Sequence, residues 1–346
     1  MTTTKNFSRP KFIDFMQLAS TPFSLIIPAR NSEKTLASCL QSVLESDFLP
    51  DEVIVVVDSS TDKTLEIARQ YDCQTIQVNT ASGPMAPRFQ GAKAARNPLL
   101  IFLDSDVLVE KDTFAQLASR FHDSEVHAVS GILNASAKTG TFFGDYKNEY
   151  MNFIFSKQEK YSDFIYGSIW AIRRESLIEF NPITRPFGSL VSDSEMGFQL
   201  TRASKKVILA RHIQVRHMKP YTFAGILKND FAIPFCFAQM LIRYGIRQPA
   251  RNKRFSHVSL GQTTFTGVAF LAFFLLVSGR FFPAALVLLL FFTFWSKFLL
   301  QLCRSRGLGF ALGAILFTPI DAAIMFCGAI SGFCYTIFNP PEKLRI

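Results

Sequence analysis

The run Leu99 to Asp106 reads LLIFLDSD: five apolar residues lead straight into two carboxylates separated by one serine. Entered from Asn97-Pro98, a continuous apolar run of this length suits a strand buried on both faces of a parallel sheet. Ligand sites in open α/β sheets lie beyond the carboxyl ends of the strands. Asp104 and Asp106 are therefore expected at the rim of a sheet, where a ligand can reach them. Residues i and i+2 on a turning backbone can converge on one cation. Mg²⁺ in particular combines one or two carboxylates with substrate phosphates.

The residues before this run repeat one theme. Phe23 to Pro28 (FSLIIP) is a short strand stopped by proline, followed by the loop Ala29-Arg30-Asn31. Leu36, Cys39, Leu40, Val43 and Leu44 then recur at helical spacing. Glu52 to Val57 (EVIVVV) is a second buried strand, ending at Asp58, and the polar turn Ser59 to Asp62 supplies helix N-caps. A helix over Leu65 to Ala68 and an outer strand over Gln74 to Val78 follow. Ser82-Gly83-Pro84 is a loop before a helix carrying Arg88, Gly91 and Lys93. This β-α-β-α-β-α-β order predicts a parallel sheet with right-handed crossovers.

After Asp106 the pattern loosens. Val107 to Phe121 reads as turn plus helix, and Ala128 to Leu133 as a strand. Phe142 to Lys157 is aromatic and mixed and fits neither period. Tyr166 to Ile172 reads as a strand entered through Gly167, with a helix from Arg174. Asp193 to Leu200 begins another helix, and Val207 to Ala210 a short strand, with Arg211 to His217 following. Tyr221 to Tyr244 is aromatic-rich and suits equally a membrane interface or a helix packed on the domain.

Hydrophobic residues make up 49% of the 346, and their excess lies after about Thr263. Phe265 to Ser278, Phe281 to Leu300 and Leu308 to Phe338 are long apolar segments. Crossing a bilayer takes about 20 such residues. Three spans are expected, the third either one kinked helix or two shorter pieces, because Pro319 and Asp321 lie inside it. Asp321 at membrane depth is costly, so it should face protein or water. The formal charge is +10, with no motif for nucleic acid. Arg243, Arg247, Arg251, Lys253 and Arg254 cluster just before the apolar third, and Lys297 stands near the end of its second segment with Arg304 and Arg306 after it. Basic loops face the cytoplasm, which places residues 1–258 and the loop at 301–307 there in a multi-pass cell-membrane protein. Six scattered cysteines without C-x-x-C spacing suit a reducing compartment. The expected organisation is a tail at 1–20, a domain at 21–218, a basic juxtamembrane segment at 219–258, a membrane region at 259–340 and a tail at 341–346. In the first tail Phe12, Phe15 and Met16 share a helix face, and no cleavable leader is evident.

Five stretches in order resemble family 2 glycosyltransferases over about residues 22–218: SLIIPARNSEKTLASCLQSVL, VVVDSSTDKT, APRFQGAKAA, FLDSD and VSDSEMGFQL. Phe89 stands where that family usually has asparagine, and Ser192 where it has glutamate. The resemblance implies a GT-A fold, Rossmann-like with a mostly parallel sheet, followed by membrane helices. It implies a nucleotide-sugar pocket of Pro28, Ala29, Arg30, Asn31, Glu33, Asp58, Arg88, Asp104, Ser105 and Asp106. Mg²⁺ or Mn²⁺ would sit on Asp104, Asp106 and His217. Asp193 would be the general base, with Gly167, Ser168 and Trp170 on the acceptor side. The implied reaction is inverting transfer of a sugar from a UDP- or GDP-sugar to a hydroxyl or phosphate of a lipid-linked acceptor, as in cell-envelope glycan synthesis, with room for a homo-oligomer. Two alternatives stand beside it. A processive polysaccharide synthase would carry Q-x-x-R-W, where Gln239, Arg243 and Tyr244 give a version one residue too long. A non-catalytic membrane scaffold would explain Ser192 and Phe89.

Overall fold

A computed structural model of the chain describes residues 21–80, 83–179, 189–244, 254–255 and 258–339. Both tails, Ser82, and Arg247, Arg251 and Lys253 of the basic cluster lie outside them. The first half alternates as expected: β1 (Phe23–Ala29), α1 (Leu36–Leu44), β2 (Glu52–Asp58), α2 (Thr64–Ala68), β3 (Gln74–Val78), α3 (Met85–Ala94) and β4 (Leu99–Leu103). Then come β5 (Val107–Leu108), α4 (Thr113–Ala118), β6 (Val126–Leu133), α5 (Phe142–Phe155), β7 (Ile169–Arg173), α6 (Arg174–Glu179), α7 (Ser192–Arg202) and β8 (Lys206–His217).

One eight-stranded sheet runs in the order β3-β2-β1-β4-β7-β6-β8-β5. It is parallel through its first four strands. Beyond them it is mixed, because β7 runs antiparallel to both β4 and β6. That reversal matters for the site. The register Leu103↔Ile169 carries Ser168 to the carboxyl end of β4, where its carbonyl accepts from the Asp104 amide at 3.1 Å. The central strands bury both faces, as the unbroken apolar runs require. Leu25, Ile27, Val55 and Ile101 pack under α1, and Ile26, Val56, Leu100 and Phe102 under α3. The strand read as Val207 to Ala210 continues to His217, through a slip in register between Ser130↔Leu209 and Ile132↔Gln214. Ala210 to Ile213 form the bulge.

The unplaced aromatic stretch is α5. Thr141 caps it by accepting from the Gly144 amide. Tyr146, Phe153 and Ile154 pack against Trp295, Phe298, Leu302 and Phe317, which fastens the domain to the C-terminal helices. These are α8 (Phe223–Tyr244), α9 (Leu260–Val277), α10 (Phe281–Arg306) and α11 (Leu308–Phe338), with a small ribbon of β9 (Arg254–Phe255) and β10 (Val258–Ser259) before α9. Helix α8 packs on the domain, with Phe237, Met240 and Tyr244 against Val191 and Phe198.

The third apolar segment is one continuous helix despite Pro319. Three spans were expected, and among the described residues two helices, α10 and α11, are long and apolar enough to cross a membrane. The apolar part of α9, Thr263–Val277, is shorter. Only 22% of the apolar window of α10 and 39% of that of α11 is buried within the protein, so neither is a core helix. Asp321 faces the protein as expected, 1% exposed, beside Asp230, which pairs with Lys147. The expected loop at 301–307 is helical as far as Arg306. That side chain, 8% exposed, donates to Glu149 and Asp145, each at 3.0 Å, and to the carbonyls of Ala135 and Ala137. Along α11, a Cβ at Gly328 or Gly332 would strike the carbonyl oxygen of Phe231 or Phe235. These two glycines let α11 and α8 meet backbone to backbone, as small residues do at membrane helix contacts.

Candidate active site

Beyond the carboxyl ends of β1, β2 and β4 lies a cleft of about 490 Å³. Pro28, Ala29, Arg30, Asp58, Arg88, Asp104, Ser105, Asp106, Gly167, Ser168, Asp193 and His217 line it, as the sequence led us to expect. Three expected residues do not. Asn31, at φ 49°, turns its side chain to accept from the Thr61 amide at 2.9 Å. The Glu33 carboxylate accepts from the Lys63 amide, and the Glu33 amide donates to Asp62. Both residues tie the loop after β1 to the loop after β2, and both are exposed. Trp170 is fully buried, stacked on Phe102 at 4.2 Å between ring centres. Alternation along β7 explains this: Ile169 and Ala171 face the α1 side of the sheet, and Trp170 the α3 side. Trp170 therefore lies beneath the cleft wall formed by Gly167 and Ser168, with the Arg88 guanidinium 6.0 Å from its ring centre.

Asp58 is 3% exposed and well used. Its carboxylate accepts from the Thr80 amide at 2.9 Å, the Thr80 hydroxyl at 2.8 Å and the Ser59 hydroxyl at 2.9 Å. It thus pins the chain that leaves β3 as well as walling the cleft. Arg88, 4% exposed, donates to Asp104 at 2.6 Å and to the Gly167 carbonyl at 3.0 Å. Burial, with Asp106 close by, raises the Asp104 pKa although Arg88 opposes the rise. Burial acts the same way on Asp106, but His217 and Lys219 outweigh it and hold that carboxyl below its usual range.

His217 ends β8 and is paired to Val107 through the short strand β5. Its Nε2 lies 3.5 Å from Asp106 Oδ2. Asn148 Nδ2 donates to the His217 carbonyl at 2.9 Å, which leaves Asn148 Oδ1 facing His217 Nδ1 at 3.3 Å. An amide oxygen only accepts, so Nδ1 is assigned a proton, and with a cation between them Nε2 would offer its lone pair on the Asp106 side. A hard carboxylate beside an imidazole lone pair, with a second carboxylate two residues away, is a donor set that fits Mg²⁺ or Mn²⁺. Among the described residues no three such side chains converge in ligating geometry. Asp104 is instead paired with Arg88 at 2.6 Å.

Asp193 is the second residue of α7 and takes the Ser194 amide on Oδ1 at 2.8 Å. Burial and the neighbouring Asp104 push its pKa up to about 6, against the pull of Arg88. A Cβ at position 167 would collide with the Asp193 carboxylate, so glycine there keeps that group open to the cleft. Much of the remaining wall was not foreseen, including Lys147 and Met151 of α5, Lys219 and Tyr221 after β8, and Asn229 and Ile233 of α8.

Residues 24–180 match the model of glycosyl transferase family 2. Poly(ribitol-phosphate) beta-N-acetylglucosaminyltransferase TarS of Staphylococcus aureus (strain Mu50) is 38% identical over 113 residues, which is 30% of this chain and 20% of TarS. The 4,4'-diaponeurosporenoate glycosyltransferase of Staphylococcus aureus (strain bovine RF122) is 34% identical over 117 residues, 32% of this chain and 30% of that protein. The chain thus matches under a third of the length of either relative. The mannosyltransferase PcManGT of Pyrobaculum calidifontis, solved with GDP-Man and Mn²⁺, superposes with a TM-score of 0.55 at 15% identity, over 95% of this chain and 94% of that one. At that identity the likeness is one of fold. Motifs, sheet topology and family match agree: the chain carries a family 2 glycosyltransferase domain of the GT-A fold, followed by apolar C-terminal helices.

Proposed function

We propose that this chain is an inverting, metal-dependent glycosyltransferase that moves a sugar from a UDP- or GDP-sugar to a hydroxyl or phosphate of a lipid-linked acceptor. In this reading residues 21–218 are the catalytic domain, 219–258 a juxtamembrane segment and 259–340 the membrane region. One observation carries it. Asp193 shares a cleft with Asp104 and Asp106, while the far wall of that cleft is α8, which packs against the apolar α11. An acceptor carried on a lipid would reach the base along that wall.

Asp104, Asp106 and His217 would hold Mg²⁺ or Mn²⁺, which supplies neutralising charge for the departing diphosphate. Pro28, Ala29, Arg30 and Asp58 wall the nucleotide. Arg88 orients Asp104 through its 2.6 Å bond. Asp193, its pKa near 6, is ionised at neutral pH and takes the proton of an acceptor hydroxyl. Arg306 fastens the end of α10 to the catalytic domain, so the α10–α11 turn lies on the domain's side of the membrane. The basic residues there make that side cytoplasmic.

The test is transfer itself. Full-length protein in lipid nanodiscs is given radiolabelled UDP- and GDP-sugars with Mn²⁺, and the lipid extract is counted. Label in the lipid fraction with one donor is the expected result. No transfer from any donor would overturn the proposal, and a long labelled polymer on gels would replace it with a processive synthase.

A further inference from the structure

Away from the cleft, at the outer edge of the sheet, a second cavity of about 550 Å³ lies over the β8 bulge. Strand β5 covers only the Arg216–His217 end of β8, and the segment at Lys160–Ser162 bonds to Val207 and Leu209, so among the described residues the edge at Ala210 to His212 has no strand beside it. Four basic side chains meet in the cavity: Arg120 after α4, Lys160 after α5, and Arg211 and His212 on the bulge. Arg120 Nη2 donates to His212 Nε2 at 2.8 Å, and Arg211 Nη1 donates to the Ser156 carbonyl at 3.1 Å. Arg120 Nε is buried with no hydrogen-bond partner. Among the described residues no carboxylate forms an ion pair with Arg120, Lys160 or Arg211. A bare sheet edge needs one charge to discourage pairing. Here three permanent cations and an imidazole crowd one concavity, which costs energy through mutual repulsion unless an anion answers it.

The position narrows the kind of anion. Lys157, next to Ser156 of the cavity wall, stands close enough to Lys297 of α10 for each charge to act on the other. Around Lys297, Trp295 and Phe298 pack on the domain, whereas Phe281, Phe282, Leu286, Leu289 and Phe294 are exposed. Lys297 therefore marks the level at which α10 leaves the domain, and that is the headgroup level if α10 enters a bilayer.

We infer that the Arg120–Lys160–Arg211–His212 cavity binds a phosphate group, taken from the headgroup of an anionic lipid. Guanidinium forks match phosphate oxygens in geometry as well as charge. The choice of a lipid source rests on the membrane reading above; phosphate binding does not.

The experiment uses the full chain in maltoside micelles and follows its thermal unfolding midpoint. Phosphatidylglycerol is compared with phosphatidylcholine, and inorganic phosphate with chloride at equal ionic strength. Phosphatidylglycerol should raise the midpoint of the wild type and of Arg69→Gln, a remote surface control, and phosphatidylcholine should not. Arg120→Gln/Arg211→Gln should bind phosphatidylglycerol roughly tenfold more weakly. Lys160→Gln, which removes no hydrogen bond from the fold, should weaken it in the same direction and guards against a double variant that fails to fold. A matching response to millimolar inorganic phosphate, lost in the same variants, would keep the site and overturn the lipid source. No response to either ligand, or an equal response in wild type and variants, would overturn the site. Loss of this site with sugar transfer intact would separate it from the proposed catalysis.

Discussion

The two walls of the cleft, the donor wall and the acceptor wall of the proposed function, are assembled from different materials. Pro28 to Arg30, Asp58 and Asp104 to Asp106 sit at the ends of three neighbouring parallel strands, cross-braced by Asn31, Glu33 and Thr80. Lys147, Asn229 and Ile233 sit on helices whose other faces pack on the apolar C-terminal segment. The first wall is held by short hydrogen bonds between loops, and the second by side-chain packing and buried charge. Asp193 stands at their junction, on α7 but facing Gly167 and Arg88. Damage to the donor wall should therefore show in chemistry and metal dependence, and damage to the acceptor wall in stability.

The sharpest test lies at the junction. Asp193→Asn should lower kcat by about 10²–10⁴, the usual worth of a positioned base. It should also raise the melting temperature at pH 7. The folded-state pKa lies above the usual 3.8, so this group's stabilising contribution is full below about pH 4. It is lost as pH rises through about 6, by as much as about 3 kcal/mol. A neutral amide escapes that loss. A variant both inactive and less stable would break the assignment.

On the donor side, Asp106→Ala should cost roughly 10²–10³ in kcat and abolish Mn²⁺-dependent UDP binding in calorimetry, with the fold intact. On the helical side, Arg306→Ala leaves Glu149 and Asp145 without their buried partner. It should cost about 3–5 kcal/mol of stability, read by thermal or denaturant melts, while the donor affinity of the surviving folded fraction stays near wild type. If Arg306→Ala changes donor affinity instead, the two walls are not independent.

A smaller effect is expected from pH. The base works only ionised, so kcat/KM should fall tenfold per pH unit below about 6 and level off above it. A profile flat down to pH 5 would remove Asp193 from the proton transfer. Smallest of all, Thr80→Val deletes one hydroxyl donor to Asp58 and should raise the donor KM by a few-fold, from about 1 kcal/mol, with kcat nearly unchanged.

The donor half was legible because its information is local. Apolar runs such as EVIVVV and LLIFL end in the carboxylates that matter, so strand and site are read together. The acceptor half was not, for three physical reasons. Lys147, Asn148 and Glu149 are buried polar residues in a helix with aromatic faces, so α5 shows no clean stripe; their partners, Asp230, His217 and Arg306, lie far along the chain. Trp170 looked like a site residue because of its neighbours Gly167 and Ser168, yet strand alternation turns it inward. Asn31 and Glu33 carry the family motif but spend their side chains on the adjacent loop. Arg306 read as a basic loop residue, and only the fold shows that it is a buried clamp.

Gly328 and Gly332 bring the backbone of α11 onto that of α8, and the opposite face of α8 supplies Asn229 and Ile233 to the cleft. With no side chain between the two backbones to absorb a displacement, the pair behaves as a lever without play. Tilting α11 by a few degrees would narrow or widen the space opposite Asp193. If the proposed acceptor enters there, the surroundings of the apolar helices would thereby set how large a molecule fits.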